Sequence, residues 1–244
     1  MKLNKPFGVI ILAAGKGTRM KSDLPKVLHK IHGISMVEHV INTSKNIGAS
    51  KIVTVVGYKS ELVKETLAHS GTEFALQKQQ LGTGHAVKQC EDILSGFLGN
   101  ILVLSGDVPL ISSHTLTNLL LNHNNSNNIA TVLTANIDNP HGYGRVIRTS
   151  NGNLSKIVEH KDASKKELAI DEINSGIYVF DSKTLFEMLP QVKNDNSQGE
   201  YYLPDVLTMV LEKKLKVGVE KTKNITEIQG VNTIEQLLQL EKNN

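Results

Sequence analysis

The stretch Val9–Met20 reads V-I-I-L-A-A-G-K-G-T-R-M. An apolar run stops at two alanines. Two glycines, a lysine, a threonine and an arginine follow within five residues. An apolar run of this length, bounded by glycine, predicts a buried strand over Phe7–Ala13. The glycine-rich, cationic turn then falls at the strand's carboxyl end, where open α/β sheets place their ligands. Gly15 and Gly17 permit close backbone approach. Successive N–H groups in such a turn form an anion-binding nest, and Lys16 and Arg19 add positive charge. Two common phosphate motifs are excluded. A dinucleotide fingerprint starting at Gly15 requires glycine where Met20 stands. A P-loop ending Gly15-Lys16 requires glycine at Ile10 and Ser or Thr at Gly17.

Outward from this turn, strand and helix signals alternate. Ser35 predicts a helix cap, with Met36, Val37, Val40, Ile41 and Ile47 on one face and Gly48 as the stop. Lys51–Val56 and Glu73–Leu76 read as strands, with a helix opening at Ser60 between them. Gln77–Gly84 reads as a polar loop, Ala86–Leu94 as a helix and Ile101–Leu104 as a fourth strand. This alternation predicts an α/β fold, a doubly wound and mainly parallel sheet. The second half predicts a helix near Thr115–Leu121, a surface turn over the asparagine-rich Asn122–Asn128, and strands at Ala130–Asn136 and Ile173–Phe180. Gly144–Ile147 and Leu154–Val158 flank Ser150-Asn151-Gly152, a hairpin signal. Helices follow near Thr184–Leu189, Leu203–Glu212 and Thr233–Leu240. One domain over about 1–240 is expected, its second half forming a β excursion from the shared sheet.

Composition narrows the partners. The 244 residues carry a net charge of +3 with the signs interspersed, and Trp is absent. Nothing resembles a basic stripe, so nucleic acid is not an expected partner. Cys90 is the single cysteine, which excludes an intramolecular disulfide and disfavours thiolate zinc. Lys2 and Lys5 before Phe7–Ala14 resemble a weak signal peptide, but the apolar part is short and runs into Lys16 and Arg19. No run nears the ~20 residues that span a bilayer. The expectation is a cytoplasmic protein with no membrane partner. His29 and His32 have helical spacing, but Pro25 and Gly33 argue against a helix there, and a metal role for them is not expected.

The turn also extends into a longer signature, L-A-A-G-K-G-T-R-M at Leu12–Met20 followed by L-P-K at Leu24–Lys26. In order after it come L-G-T-G-H-A (Leu81–Ala86), G-D-V-P-L (Gly106–Leu110), G-Y-G-R (Gly142–Arg145) and I-V-E-H-K-D-A (Ile157–Ala163). Then follow E-I-N-S-G-I (Glu172–Ile177), Q-G-E-Y-Y-L-P-D (Gln198–Asp205) and G-V-N (Gly230–Asn232). The set resembles the sugar nucleotidyltransferases, and in particular the uridylyltransferase half of the bacterial bifunctional enzymes that make UDP-N-acetylglucosamine. The resemblance covers about residues 8–240. It implies a Rossmann-like nucleotide-diphospho-sugar transferase fold, with a nucleotide half over about 7–112 and a sugar half over about 113–232. It also implies transfer of uridylyl from UTP to N-acetylglucosamine 1-phosphate, giving UDP-N-acetylglucosamine and pyrophosphate.

Under that resemblance Arg19 and Lys26 contact phosphates, and Asp107 with Asn232 binds Mg²⁺. Mg²⁺ commonly takes only one or two carboxylates from protein, with phosphates and water completing its shell. Read alone, Asp107 is a turn residue ahead of Pro109. Gln77 resembles the family's uracil-reading glutamine, and an amide both donates and accepts. Gly82 and Thr83 adjoin it, while Leu12, Ala13, Ala14 and Gly15 wrap the nucleoside. Ser105 and Gly106 line the nucleotide site; Ser105 stands where some relatives carry Tyr. Gly144, Glu159 and Asn174 match sugar contacts, although Glu159 alone could pair with Lys161. Tyr201 and Tyr202 read as packing, and His85 as packing at a loop-to-helix junction. The chemistry needs no general base, because a phosphate oxygen is already anionic, so positioning and charge neutralisation carry it. Two alternatives stay open: another sugar 1-phosphate as substrate, or a non-catalytic nucleotide-sugar-binding regulatory protein. The bifunctional relatives continue into a β-helix of hexapeptide repeats. Residues up to Asn244 hold none, so acetyl transfer is not expected of this chain and its oligomeric state is open.

Overall fold

The computed structural model describes residues 5–243. In chain order its elements are β1 Phe7–Ala13, β2 Lys30–Ile31, β3 Ile34–Ser35, α1 Met36–Asn46, β4 Lys51–Val56, α2 Ser60–Thr66, β5 Glu73–Leu76, α3 Thr83–Lys88 and β6 Asn100–Ser105. Then come α4 Ser113–Asn125, β7 Ala130–Asn136, β8 Arg145–Arg148, β9 Leu154–Val158, α5 Lys165–Leu168, β10 Glu172–Asp181, α6 Ser182–Met188, α7 Asp205–Glu212, β11 Val217–Lys221 and α8 Ile234–Asn243.

A 9-stranded sheet runs in the order β11-β7-β10-β6-β1-β4-β5, with the β8–β9 hairpin joined through β10. β1 lies parallel between β4 and β6. β10 breaks the pattern, pairing antiparallel with both β6 and β7. The expected mixed, mainly parallel α/β sheet is therefore present. β1 shows why. Val9, Ile11 and Ala13 enter one apolar core, and Ile10 enters the other with Ala14 just beyond the strand. Such a strand is buried on both faces, which is why it reads as an unbroken apolar run. Ile10 and Ile11 are both fully buried. Truncating either to Ala costs about 2–5 kcal/mol, the usual range for a core aliphatic.

Ser35 caps α1 as expected, in a capping box whose Glu38 side chain accepts from the Ser35 backbone N–H at 3.2 Å. The third helix is shorter than the periodicity suggests. α3 ends at Lys88, and the chain continues in turns bonded i to i−3, such as Cys90 N to Val87 O at 3.0 Å. Val87, Cys90 and Leu94 still face the core, so the apolar spacing located the buried residues but not their hydrogen-bond pattern. The asparagine tract is a correction as well. α4 runs on to Asn125, and Asn124 accepts from Asn100 at 2.7 Å. Only the Asn127 region turns, with φ of 50°. β11 has no counterpart in the sequence reading. It is a half-buried strand at the sheet's edge, with Gly218 as its second residue. A Cβ at Gly218 would lie 2.0 Å from the Asn128 amide. The His29 and His32 region forms a small β2–β3 hairpin, with His32 and Gly33 both at positive φ in its turn.

Candidate active site

The turn after β1 and the end of β6 meet at the carboxyl edge of the parallel strands. The Gly106 N–H donates to Leu12 O at 2.9 Å, locking the two strand ends together. Asp107 follows at once. Ser105 donates to Asp107 Oδ1 at 2.6 Å, so the residue that departs from some relatives orients the carboxylate. The other carboxylate oxygen forms an ion pair with the Lys26 ammonium. Lys26 is held in place by the preceding turn. Gly17 has φ of 59°, and a Cβ there would lie 2.4 Å from Lys26 Cβ. Only glycine fits both the left-handed backbone and the close approach.

Asn232 arrives from the far end of the chain. Its Oδ1 accepts from Lys26 Nζ at 3.1 Å and from Arg19 at 2.8 Å. Two contacts aim it. Val231 N donates to Asp107 O at 2.9 Å, tying the two loops. Gln236 accepts from Asn232 N at 2.7 Å and from Thr233 N at 3.2 Å, while its own N–H donates to Thr233 Oγ1 at 3.2 Å. This is a capping box at the start of α8. The sequence reading passed over Gln236, although T-x-x-Q at Thr233–Gln236 is a recognisable signal. Arg19, Lys26, Asp107 and Asn232, separated by more than two hundred residues, thus form one hydrogen-bonded cluster. An oxygen from Asp107 and one from Asn232 converge on a single cation, the Lys26 ammonium. Hard oxygen donors converging on one point fit a divalent metal of the Mg²⁺ type. Among the described residues, no group of three or more His, Cys, Asp or Glu could hold one; this pair contributes one carboxylate and one amide.

Two cavities open from the cluster. One, about 240 Å³, is lined by Leu12, Ala13, Ala14, Gly15, Lys26, Gln77, Gly82 and Thr83, with Gln80 and Glu200. The other, about 500 Å³, is lined by Arg19, Glu159, Asn174 and Asn232, with Tyr143, Tyr178, Gly176 and Leu203. Leu12, Thr83, Ser105 and Asp107 border both. Of the expected site residues, Gly106 and Gly144 line neither. Gly106 makes the strand-end bond just described, and Gly144 O accepts from Asn174 N at 2.9 Å. A Cβ on Gly144 would lie 3.3 Å from Glu159 Oε1, so the glycine makes room for that carboxylate.

In the smaller cavity Gln77 is buried, 3% exposed, and its Nε2 donates to Gly82 O at 3.1 Å. Gly82 has φ of 104°, and a Cβ would strike Tyr201 O at 2.6 Å. Thr83 Oγ1 accepts from Leu203 N at 3.0 Å. Tyr201 contributes its main chain here, accepting from Gly84 N at 2.8 Å. Tyr202 is buried, and its hydroxyl donates to Asp162 at 3.1 Å.

The larger cavity carries two carboxylates, Asp107 and Glu159, beside the Arg19 guanidinium. Burial, and then the charges of Asp162, Asp205 and Glu200, raise the Glu159 pKa. No bond to Lys161 is found for it. Asp205 is pushed up to about 6 by burial and by Asp162. Asn174 Nδ2 donates to Tyr178 Oη at 2.6 Å, and its Oδ1 accepts from Gly176 N at 3.1 Å, so it closes the irregularity between Asn174 and Tyr178 in β10. Tyr143, which the motif reading left without a role, borders this cavity. Its phenol pKa is raised by burial and then by the Asp107 charge. Arg145, buried at 2%, donates to Tyr143 O and, at 3.5 Å, to Leu168 O, bracing the loop that carries Tyr143 and Gly144.

A cation–amide–carboxylate cluster at the strand ends of a doubly wound sheet, between two confluent cavities, defines a nucleotide-handling α/β protein. The nucleotidyl transferase family matches residues 8–225, and the chain belongs to it. The chain is 54% identical to the "Bifunctional protein GlmU" of Streptococcus thermophilus over 223 residues, covering 91% of this chain and 48% of that protein. It is likewise 54% identical to the Streptococcus gordonii protein of the same name and 53% to that of Streptococcus agalactiae, with the same coverage. The chain thus spans about half the length of the curated relatives it matches. Among solved structures, UDP-glucose pyrophosphorylase complexed with UDP-glucose superposes with a TM-score of 0.75 at 18% identity, covering 98% of both chains; at that identity the likeness is one of fold. No described helix is long and apolar enough to cross a membrane. Proteins of this family generally use a divalent metal.

Proposed function

We propose that the chain transfers uridylyl from UTP to N-acetylglucosamine 1-phosphate, releasing pyrophosphate. The observation that carries this reading is the Arg19–Lys26–Asp107–Asn232 cluster at the junction of the two cavities. The nucleoside of UTP occupies the smaller cavity against Leu12–Gly15, with its base at Gln77 and Gly82. The sugar occupies the larger one against Glu159 and Asn174. A phosphate oxygen of the sugar phosphate attacks the α-phosphorus in line, the P–O bond to the leaving pyrophosphate breaks, and no proton need move. The barrier is mutual repulsion of anions, so fixed positive charge aimed at the reacting phosphates supplies most of the catalysis. Arg19 and Lys26 are those charges. Asp107 and Asn232 would hold Mg²⁺, which when bound neutralises phosphate charge and draws the two substrates together. Sequence identity to proteins named GlmU supports the choice of sugar, and the Glu159 carboxylate in the larger cavity suits a ligand rich in hydroxyl donors.

A panel of nucleoside triphosphates and sugar 1-phosphates, read by pyrophosphate release with Mg²⁺, tests this. UTP with N-acetylglucosamine 1-phosphate is expected to turn over fastest. A faster rate with glucose 1-phosphate would reassign the sugar, and nucleotide-sugar binding without any turnover would remove the enzymatic reading.

A further inference from the structure

His85 contacts no cavity-lining carboxylate and no member of the cation cluster, yet it bonds to the side chain that faces the base. Gln77 Nε2 stands 3.0 Å from His85 Nδ1 as well as 3.1 Å from Gly82 O. An amide nitrogen donates and cannot accept. The Gly82 carbonyl can only accept, so it fixes which end of the amide points inward. Nδ1 of His85 must then accept too, which requires the neutral ring with its proton on Nε2. Gln89 Nε2 lies 3.4 Å from His85 Nε2, but it donates to the His85 carbonyl at 2.9 Å, so the ring nitrogen is not called on to accept. Burial and the Lys88 charge lower the His85 pKa, which keeps the ring neutral.

Both hydrogens of the Gln77 amide are thereby committed to the protein. Only the acceptor Oε1 is left to answer a ligand in the cavity that Gln77 lines. Uracil offers a hydrogen at N3 and cytosine a lone pair. An acceptor held outward pairs with the first and meets the second with lone pair against lone pair. A buried polar group left unmatched discriminates far more strongly than a missing methylene does.

We infer that His85 is a specificity-determining positioning residue: by accepting from Gln77 it holds the glutamine with its carbonyl outward and so selects uracil over cytosine. The inference rests on the proposed placement of the base at Gln77. His85→Phe keeps a ring of similar size and removes the acceptor, freeing one amide hydrogen to face the base. The ratio of kcat/KM for UTP to that for CTP falls about tenfold or more in this variant, the size of one lost hydrogen-bond discrimination. The KM for sugar phosphate is unmoved. His85→Asn, whose Oδ1 can stand where Nδ1 stood, retains the ratio within about threefold. Gln77→Ala separates the two readings. If it leaves the ratio intact, the base does not lie at Gln77 and both readings fall. If it collapses the ratio while His85→Phe does not, the base reading stands and the role of His85 is overturned. A measurement on the unaltered protein guards against a variant that fails to fold. ¹⁵N NMR of the imidazole is expected to show Nε2 protonated and Nδ1 bare at neutral pH; a proton on Nδ1 overturns the inference.

Discussion

The two walls of the site are built differently. The wall formed by β1, β5, β6 and the loops after them uses backbone, neutral amides and cations: Leu12–Gly15, Gln77, Gly82, Arg19 and Lys26. The wall formed by β10 and the segments flanking β8 and β9 uses buried or half-buried polar side chains, among them Glu159, Asn174 and Tyr178. Parallel strands end in loops whose free N–H groups and helix starts suit anions. Antiparallel strands instead present alternate side chains to one face, and their recognition chemistry must come from those side chains. A phosphate-rich partner and a hydroxyl-rich one thus match the two kinds of sheet edge.

If this division is right, variants on the first wall alter turnover and those on the second alter sugar affinity. The largest effect is expected at the shared border. Asp107→Ala removes the anchor of the cluster and lowers pyrophosphate release about 10³-fold or more, the scale of losing a transition-state charge contact. Its melting temperature should change little. An effect confined to KM for sugar phosphate would erase the distinction between the walls.

Asn174→Ala comes next. It removes the contacts to Tyr178 and Gly176 that close the β10 irregularity. The KM for sugar phosphate is expected to rise about thirtyfold, roughly two hydrogen bonds' worth, with the KM for UTP unchanged. Parallel changes in both constants would mean that β10 serves the whole site rather than one wall.

Glu159→Gln has a smaller effect and a sharper signature. The carboxylate accepts from sugar hydroxyls most strongly when ionised, and burial raises the pKa of that ionisation above the ordinary carboxylate value. In the unaltered protein, affinity for sugar phosphate therefore improves as pH rises through that pKa. The Gln variant is expected to lose about tenfold in affinity and to lose the acid limb of the profile. An unchanged limb would assign it to another group.

The smallest effect concerns stability. Asp205 titrates at about 6 in the fold, above the ordinary value near 3.9. The folded state holds the proton more tightly, so stability falls as pH rises from about 4 to about 6. Asp205→Asn removes that penalty. Screening by solvent at this half-buried site, and the favourable place of a carboxylate in the first turn of α7, reduce the gain to about 1 kcal/mol at pH 7. A melting temperature about 2–4 °C higher at pH 7, with no gain below pH 4, is the expected result. A gain that persists at pH 3 would point to packing rather than charge.

The same division decides what could be read in advance. β1 and its turn were legible because every determinant is contiguous: an apolar run, two glycines, then cations. Asp107 was legible only through its motif, since a lone Asp ahead of a proline is an ordinary turn. The partners that aim the site were not legible. Gln236 acts on Asn232 across one turn, and the signal was present but short. His85 acts on Gln77 across a short loop whose path is fixed only when a distant segment packs, Tyr201 crossing Gly82 and Gly84. β11 was hidden because half-burial and a glycine within the strand leave neither an apolar run nor a clean alternation. The asparagine tract misled because composition argued for a turn, whereas Asn124 earns its helical place through Asn100.

β10 has a consequence of its own. This single ten-residue strand pairs through Tyr178–Asp181 with β6, two residues past whose end Asp107 follows. Four residues earlier it holds Asn174 against the sugar-side cavity. The interval between the two is therefore counted in residues, not set by how far a side chain can stretch. Inserting or removing two residues between Asn174 and Tyr178, which keeps side chains on their own face, would shift the Asn174 wall by roughly two strand steps, about 6.6 Å, while leaving the Asp107 side where it is. A ruler of this kind gives an engineer a discrete scale on which acceptors of different length could be matched to an unaltered nucleotide.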